Sequence, residues 1–233
     1  MKGTILASIA ATGLLCTPAL AHDVWLVPKA GGKAHELVFG HPGELEPYDP
    51  AHVEETYVID TSGKPKFTST RVQDNKVEIQ TGADTALVAL YYDHGFWTVG
   101  PDRKSAAAPK WKVPNYRTSA HIRLFNKNLL AWTPALAAPV GLDLEIVPLA
   151  NPLKLKPGDK YPIQVFYKSR PLAHADVEVM GDMELYTTDA SGKVEIPIQQ
   201  ADFQYVFVSH IEPMKSNPNV DKVETSTNLM FRP

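Results

Sequence analysis

Apolar and polar positions alternate in short runs, and glycine or proline interrupts them at intervals of about ten residues. Half-buried strands joined by turns give this pattern. In the first half, strands are predicted at residues 23–28, 34–39, 53–59 and 76–79. Gly40-His41-Pro42-Gly43 ends the second of these as a turn. Residues 85–92 (TALVALYY) form the most apolar run of this half and are expected at the centre of a sheet. Residues 100–115, with Pro101, Pro109 and Pro114, read as a long surface loop. Between residues 117 and 132 the apolar positions Leu124, Phe125, Leu129 and Trp132 approach helical spacing, so a short helical segment is expected, with an extended strand over 120–125 as its alternative.

Ala135 to Gly141 is the expected junction between two domains, 22–138 and 139–233. Beyond it, strands at 142–147, 161–167, 175–180, 193–197, 203–210 and 225–231 alternate with turns. The predicted fold is therefore all-β, with two sandwich-like domains. The second is immunoglobulin-like in architecture only, since the cysteine pair of that fold is missing.

Composition narrows this picture. There are 20 prolines in 233 residues, nearly twice the usual share of about 5%, which disfavours long helices. A formal charge of −3 without basic blocks argues against a nucleic-acid partner. The start of the chain has its own pattern: Lys2, an apolar stretch from Ile5 to Leu15, then Ala19-Leu20-Ala21. It reads as a secretory leader cleaved after Ala21, too short to serve as a membrane anchor. Cys16 suggests a lipoprotein, but Leu15 before it is too large for that processing. No later stretch is apolar enough to span a bilayer, so an exported protein without stable membrane insertion is expected. Cleavage would remove the one cysteine, excluding thiol chemistry, and keep all eight histidines.

Those histidines are the candidate chemistry. Cleavage places His22 first, where its amine and ring nitrogen can close on one metal ion, unless the exposed histidine is incidental. His41 lies in the glycine-proline turn, as a fixed ligand or an ordinary solvated ring. His94 follows Tyr91-Tyr92-Asp93 at the end of the apolar run. His210 ends the 203–210 strand, and His121 falls where packing is as natural as ligation. His174 belongs to a turn, while His35 and His52 have no distinctive surroundings. The acidic loop of Glu44, Glu46 and Asp49 could attract cations. No His-x-x-His, Cys-x-x-Cys, phosphate-loop or nucleophile-elbow motif occurs, so any site must be assembled from distant strands.

Several longer stretches carry a resemblance. They are His22-Asp23-Val24-Trp25-Leu26, Phe39-Gly40-His41-Pro42-Gly43-Glu44, Tyr92-Asp93-His94-Gly95-Phe96-Trp97, residues 141–149 (GLDLEIVPL) and Ser209-His210-Ile211-Glu212-Pro213. Together they resemble the periplasmic DUF4198 proteins, a family associated with nickel and cobalt uptake. The resemblance implies His22, His41 and His210 as metal ligands. His94 stands where the family often has asparagine, which makes it an accessory ligand. It further implies capture of Ni²⁺ or Co²⁺ and delivery to a nickel/cobalt importer in the membrane. Such a carrier needs no turnover, so no enzymatic activity is expected. Imidazole also suits Cu²⁺ and Zn²⁺. A copper carrier built on His22 and a non-metal module of the cell envelope are the alternatives.

Overall fold

A computed structural model describes residues 22–32 and 34–233. The expected leader, residues 1–21, lies outside the described residues. The chain is all-β. A nine-stranded sheet runs in the order Leu185–Thr187, Asp176–Val179, Gln204–Pro213, Lys222–Phe231, Thr118–Leu129, Thr85–Val99, Val53–Asp60, Pro65–Lys66, with Ser105–Ala106 paired beside Thr85–Val99. Its neighbours are antiparallel except Thr118–Leu129 and Lys222–Phe231, which run parallel.

Two smaller sheets cover its faces. The first is Asp23–Pro28, Ala34–His41, Lys76–Gln80 and Thr70–Gln73, with Glu44–Glu46 beside the second of these. Its Val24, Leu26, Leu37, Phe39, Val77 and Ile79 pack on Val88, Leu90, Tyr92 and Leu124 of the large sheet. The other small sheet is Leu144–Pro148, Lys160–Tyr167, Arg170–Pro171 and Lys193–Pro197. Its Leu144, Ile146, Ile163 and Val165 pack on Leu87, Ala89, Phe125, Val208 and Leu229 from the opposite side. Alternate residues of one run thus enter two cores. This double burial explains why TALVALYY is apolar without a break, and the strand it begins is central as expected. The expected boundary between residues 138 and 139 falls between the 3-10 turn Pro134–Ala137 and Leu144–Pro148, and the large sheet takes strands from both sides of it.

The helix expected near 117–132 is a correction: residues Thr118–Leu129 form a twelve-residue strand. Its pattern misleads because polar side chains are buried on both of its faces. Asn128 Nδ2 donates to Leu26 O at 2.7 Å, and Asn126 bonds Asn228. On the other face Lys127 Nζ meets Glu145 Oε1 at 2.8 Å and Ile146 O at 3.0 Å. Glu145 accepts in addition the backbone N–H groups of Val140, Gly141 and Leu142 at 2.7, 3.0 and 3.1 Å. Burial pushes the Lys127 ammonium toward its neutral form, and Glu145 opposes that. With polar groups at core positions, period-two alternation is lost and the remaining apolar residues imitate a helix. Among the described residues, no helix is long and apolar enough to cross a membrane.

Candidate metal centre

The site begins with the pairing of Asp23–Pro28 and Ala34–His41. Their register sets Asp23 opposite Gly40, so the next residues outward, His22 and His41, meet. Their rings stack with centroids 5.0 Å apart, inclined at 30°. Gly40 has φ +125°, and a Cβ there would stand 2.4 Å from Glu44 O. Glycine therefore permits the hairpin that folds Glu44–Glu46 back on this strand. Glu46 Oε1 consequently reaches His22 Nε2 at 2.6 Å, with both side chains about two-fifths exposed (41% and 42%).

Asp23 holds the strand in place beneath His22. It is buried at 2% exposure and accepts from Tyr205 OH, Asn228 Nδ2 (2.8 Å) and Val24 N (3.0 Å). Burial raises its pKa to about 6 against these hydrogen bonds.

His94 arrives from the large sheet. Strand pairing slips there: Asp93 pairs with Arg123 and Gly95 with Ile122, leaving His94 at a bulge. His94 follows Val88, Leu90 and Tyr92 on the face turned to the first sheet. Its ring lies 5.0 Å from that of Phe39 and stacks on Trp97 at 4.9 Å. Trp97 Nε1 braces the bulge by donating to His94 O at 3.0 Å. Phe39 is also 5.4 Å from His22, so one phenyl ring is flanked by both histidines. Burial, then the nearby His52 and His22, lower the His94 pKa to about 4. The ring is therefore neutral at pH 7 and keeps a lone pair for a ligand.

His52 joins the same rim, although sequence reasoning passed it over. It ends the 3-10 turn Pro50–His52, capped by Asp49, whose carboxylate accepts from Ala51 N at 2.9 Å. Its ring lies 5.6 Å from that of Tyr92, and its buried Nδ1 has no hydrogen-bond partner among the described residues. An aspartate-proline turn start was the available signal, but it carries no hint of what the turn packs against. Glu44 and Asp49 of the acidic loop are exposed.

The sequence matches the family described as a domain of unknown function (DUF4198) over residues 19–212. The chain belongs to the DUF4198 family. An uncharacterized protein of Haemophilus influenzae is 23% identical to this DUF4198 chain over 213 residues, covering 91% of each. A solved structure of native alpha-2-macroglobulin from Escherichia coli, spanning domains MG0-NIE-MG1, aligns with 88% of this chain and 70% of that one. Identity is 11% and the TM-score 0.22, a likeness too slight to bear on the fold.

The other histidines of this DUF4198 chain lie elsewhere. His210 sits opposite Thr225, on the face of the large sheet turned away from His94. It packs on Tyr167 at 4.3 Å, beside Glu212, which accepts from Tyr167 OH and Lys168 Nζ at 2.6 Å each. His174 and Asp176 line a cleft of about 370 Å³ with it. His121 Nε2 is bonded to Asp93 Oδ1 at 2.7 Å. Burial works against the Asp93 carboxylate, but the bonds from His121 and Gly95 N outweigh it and hold its pKa below the usual range. His35 is buried at 5% exposure, 3.4 Å from Thr81 Oγ1. The structure thus gathers His22, His41 and His94, adds His52 and Glu46, and leaves His210 apart. Among the described residues, no three histidine, aspartate or glutamate side chains already stand as a metal would hold them.

Proposed function

We propose that this DUF4198 protein is a periplasmic carrier that captures Ni²⁺ or Co²⁺ at the His22–His41–His94 rim and delivers it to a nickel/cobalt importer in the membrane. One observation carries the reading: His22 and His94, from separate parts of the sequence, flank Phe39, His41 stacks on His22, and burial keeps His94 neutral. The donor set, imidazole nitrogen with the Glu46 carboxylate at its edge, suits divalent nickel, cobalt, copper and zinc. The stacked His22 and His41 rings do not converge on one point, so capture exchanges the His22–Glu46 bond for bonds to metal. Removal of residues 1–21 would add the terminal amine of His22 as a further nitrogen ligand. His210 is left out of this set because it lies on the other face of the large sheet. Binding and release alone are required, and no catalytic step enters.

The test is titration of protein beginning at His22 with Ni²⁺, Co²⁺, Cu²⁺ and Zn²⁺ in turn. One equivalent of Ni²⁺ or Co²⁺ is expected to bind, and one residue added before His22 should weaken uptake sharply. Cu²⁺ should bind more tightly than Ni²⁺ through the Irving–Williams order alone. Uptake of Cu²⁺ with none of Ni²⁺ or Co²⁺ would make this a copper carrier. No stoichiometric uptake of any metal ends the reading.

A further inference from the structure

Residues 100–117 link two long strands, Thr85–Val99 and Thr118–Leu129. Arg117 N closes the base of this loop on Val99 O at 2.8 Å, and Gly100 N donates to Lys104 O at 2.9 Å. The loop holds Arg103, Lys104, Lys110, Lys112 and Arg117 against one carboxylate, Asp102. On a chain of formal charge −3, a segment at +4 leaves −7 on the remainder. Lys110 is engaged, its Nζ reaching Asp221 Oδ1 at 2.9 Å and Val220 O at 3.1 Å. Arg103, Lys104, Lys112 and Arg117 are exposed, and none enters an ion pair among the described residues.

Trp111 stands in the middle of this cationic loop, 65% exposed on the 3-10 turn Lys110–Lys112. Its presentation is braced. The indole Nε1 donates to Asn219 Oδ1 at 3.2 Å, and Lys110 N donates to Asn219 O at 2.8 Å. Lys112 Nζ lies 5.1 Å from the ring centroid. An indole held outward among lysines and arginines matches the bilayer–water boundary, where amphipathic rings settle at headgroup depth and long cations reach the phosphates. A protein partner would instead call for an apolar surround to exclude water from the tryptophan. In residues 100–117, Trp111 is the one large apolar side chain that is strongly exposed.

We propose that this loop docks the protein reversibly on an anionic phospholipid surface, with Trp111 in the headgroup layer and Arg103, Lys104, Lys112 and Arg117 against the phosphates. The same strand carries His94 six residues before the loop begins, about 20 Å at extended spacing. Docking therefore brings the histidine rim near the membrane. The inference stands independently of metal binding and is tested without metal.

Protein beginning at His22 is sedimented with vesicles of phosphatidylglycerol and phosphatidylcholine, and in parallel with phosphatidylcholine alone. Binding to the anionic vesicles is expected at low salt, with loss as salt rises. Lys112→Gln and Arg103→Gln should each weaken it about fivefold, and Trp111→Ala should abolish the blue shift of tryptophan emission. All three positions are exposed, so unchanged thermal unfolding serves as the folding control. Equal partitioning onto both vesicle types, no partitioning, or full binding by all three variants overturns the proposal. Capture by polyglutamate without vesicle binding also overturns it, and assigns the loop to an acidic protein surface.

Discussion

The two faces of the central sheet hold polar groups of opposite kinds. On the face toward the third sheet, Lys127 and Glu145 are almost wholly buried, at 1% and 0% exposure. Within the fold Lys127 Nζ has two acceptors and the Glu145 carboxylate four donors. At the rim of the other face, His22, His41, His94 and His52 crowd together with one side-chain hydrogen bond among them, between His22 and the accepting carboxylate of Glu46. The first arrangement is bonded within the fold and closed to a ligand by burial. The second has ring nitrogen to spare, that of His94 neutral at pH 7. Saturated polar groups hold the sheets together, whereas unsaturated ones at a rim are where a ligand can enter.

The comparison breaks most visibly at Glu145. Glu145→Ala strands a buried ammonium and three N–H donors, and denaturant unfolding should show a loss of about 3–5 kcal/mol. Adding Lys127→Met should recover much of that loss. A smaller effect is expected at Asp23, the anchor under His22. Asp23→Ala leaves Tyr205 OH without its acceptor and Asn228 Nδ2 with Val24 O alone, at about 1–3 kcal/mol in the same measurement.

Titration sharpens the contrast further. Asp23 has its folded pKa raised from 3.8 to about 6. Its contribution to stability is full below about pH 4 and is lost as pH rises through 6. His94 behaves oppositely, with a pKa lowered from 6.5 to about 4: its contribution is full above pH 6.5 and is lost as pH falls toward 4. The two trends offset each other in the wild type. Asp23→Asn removes the first, so its urea midpoint should fall more steeply than wild type between pH 6.5 and 4. Parallel curves would show that Asp23 does not titrate in this range. The smallest stability effect is expected at the rim itself. His41→Ala should shift the unfolding midpoint by no more than surface substitutions do, about 0.5 kcal/mol, while weakening Ni²⁺ binding at least tenfold in a calorimetric titration.

Much of the fold was legible because its strands either alternate, as at Lys76–Gln80 and Lys160–Tyr167, or run continuously apolar between turns, as from Thr85. Residues 161–167 alternate cleanly and residues 203–210 are rich in strand formers, and the structure places strands at Lys160–Tyr167 and Gln204–Pro213. Residues 118–129 defeated the same reading because Asn126, Lys127 and Asn128 are buried, and their partners Glu145, Leu26 and Asn228 come from distant sequence. The meeting of His22 and His41 follows from one hairpin register, so nearby sequence carried it. Which face His210 takes depends on pairing with residues 222–231, which no local pattern encodes. His52 was illegible for a related reason: its neighbours are a polar turn, and only folding brings it against Tyr92.

The most direct test of the rim as the metal site is a Zn²⁺ titration, followed through the histidine ring proton resonances of protein beginning at His22. The account predicts that the His22, His41 and His94 signals move together and saturate at one equivalent, while those of His35, His174 and His210 stay in place. Movement of His210 at the first equivalent, or no movement of the three rim histidines, would contradict it.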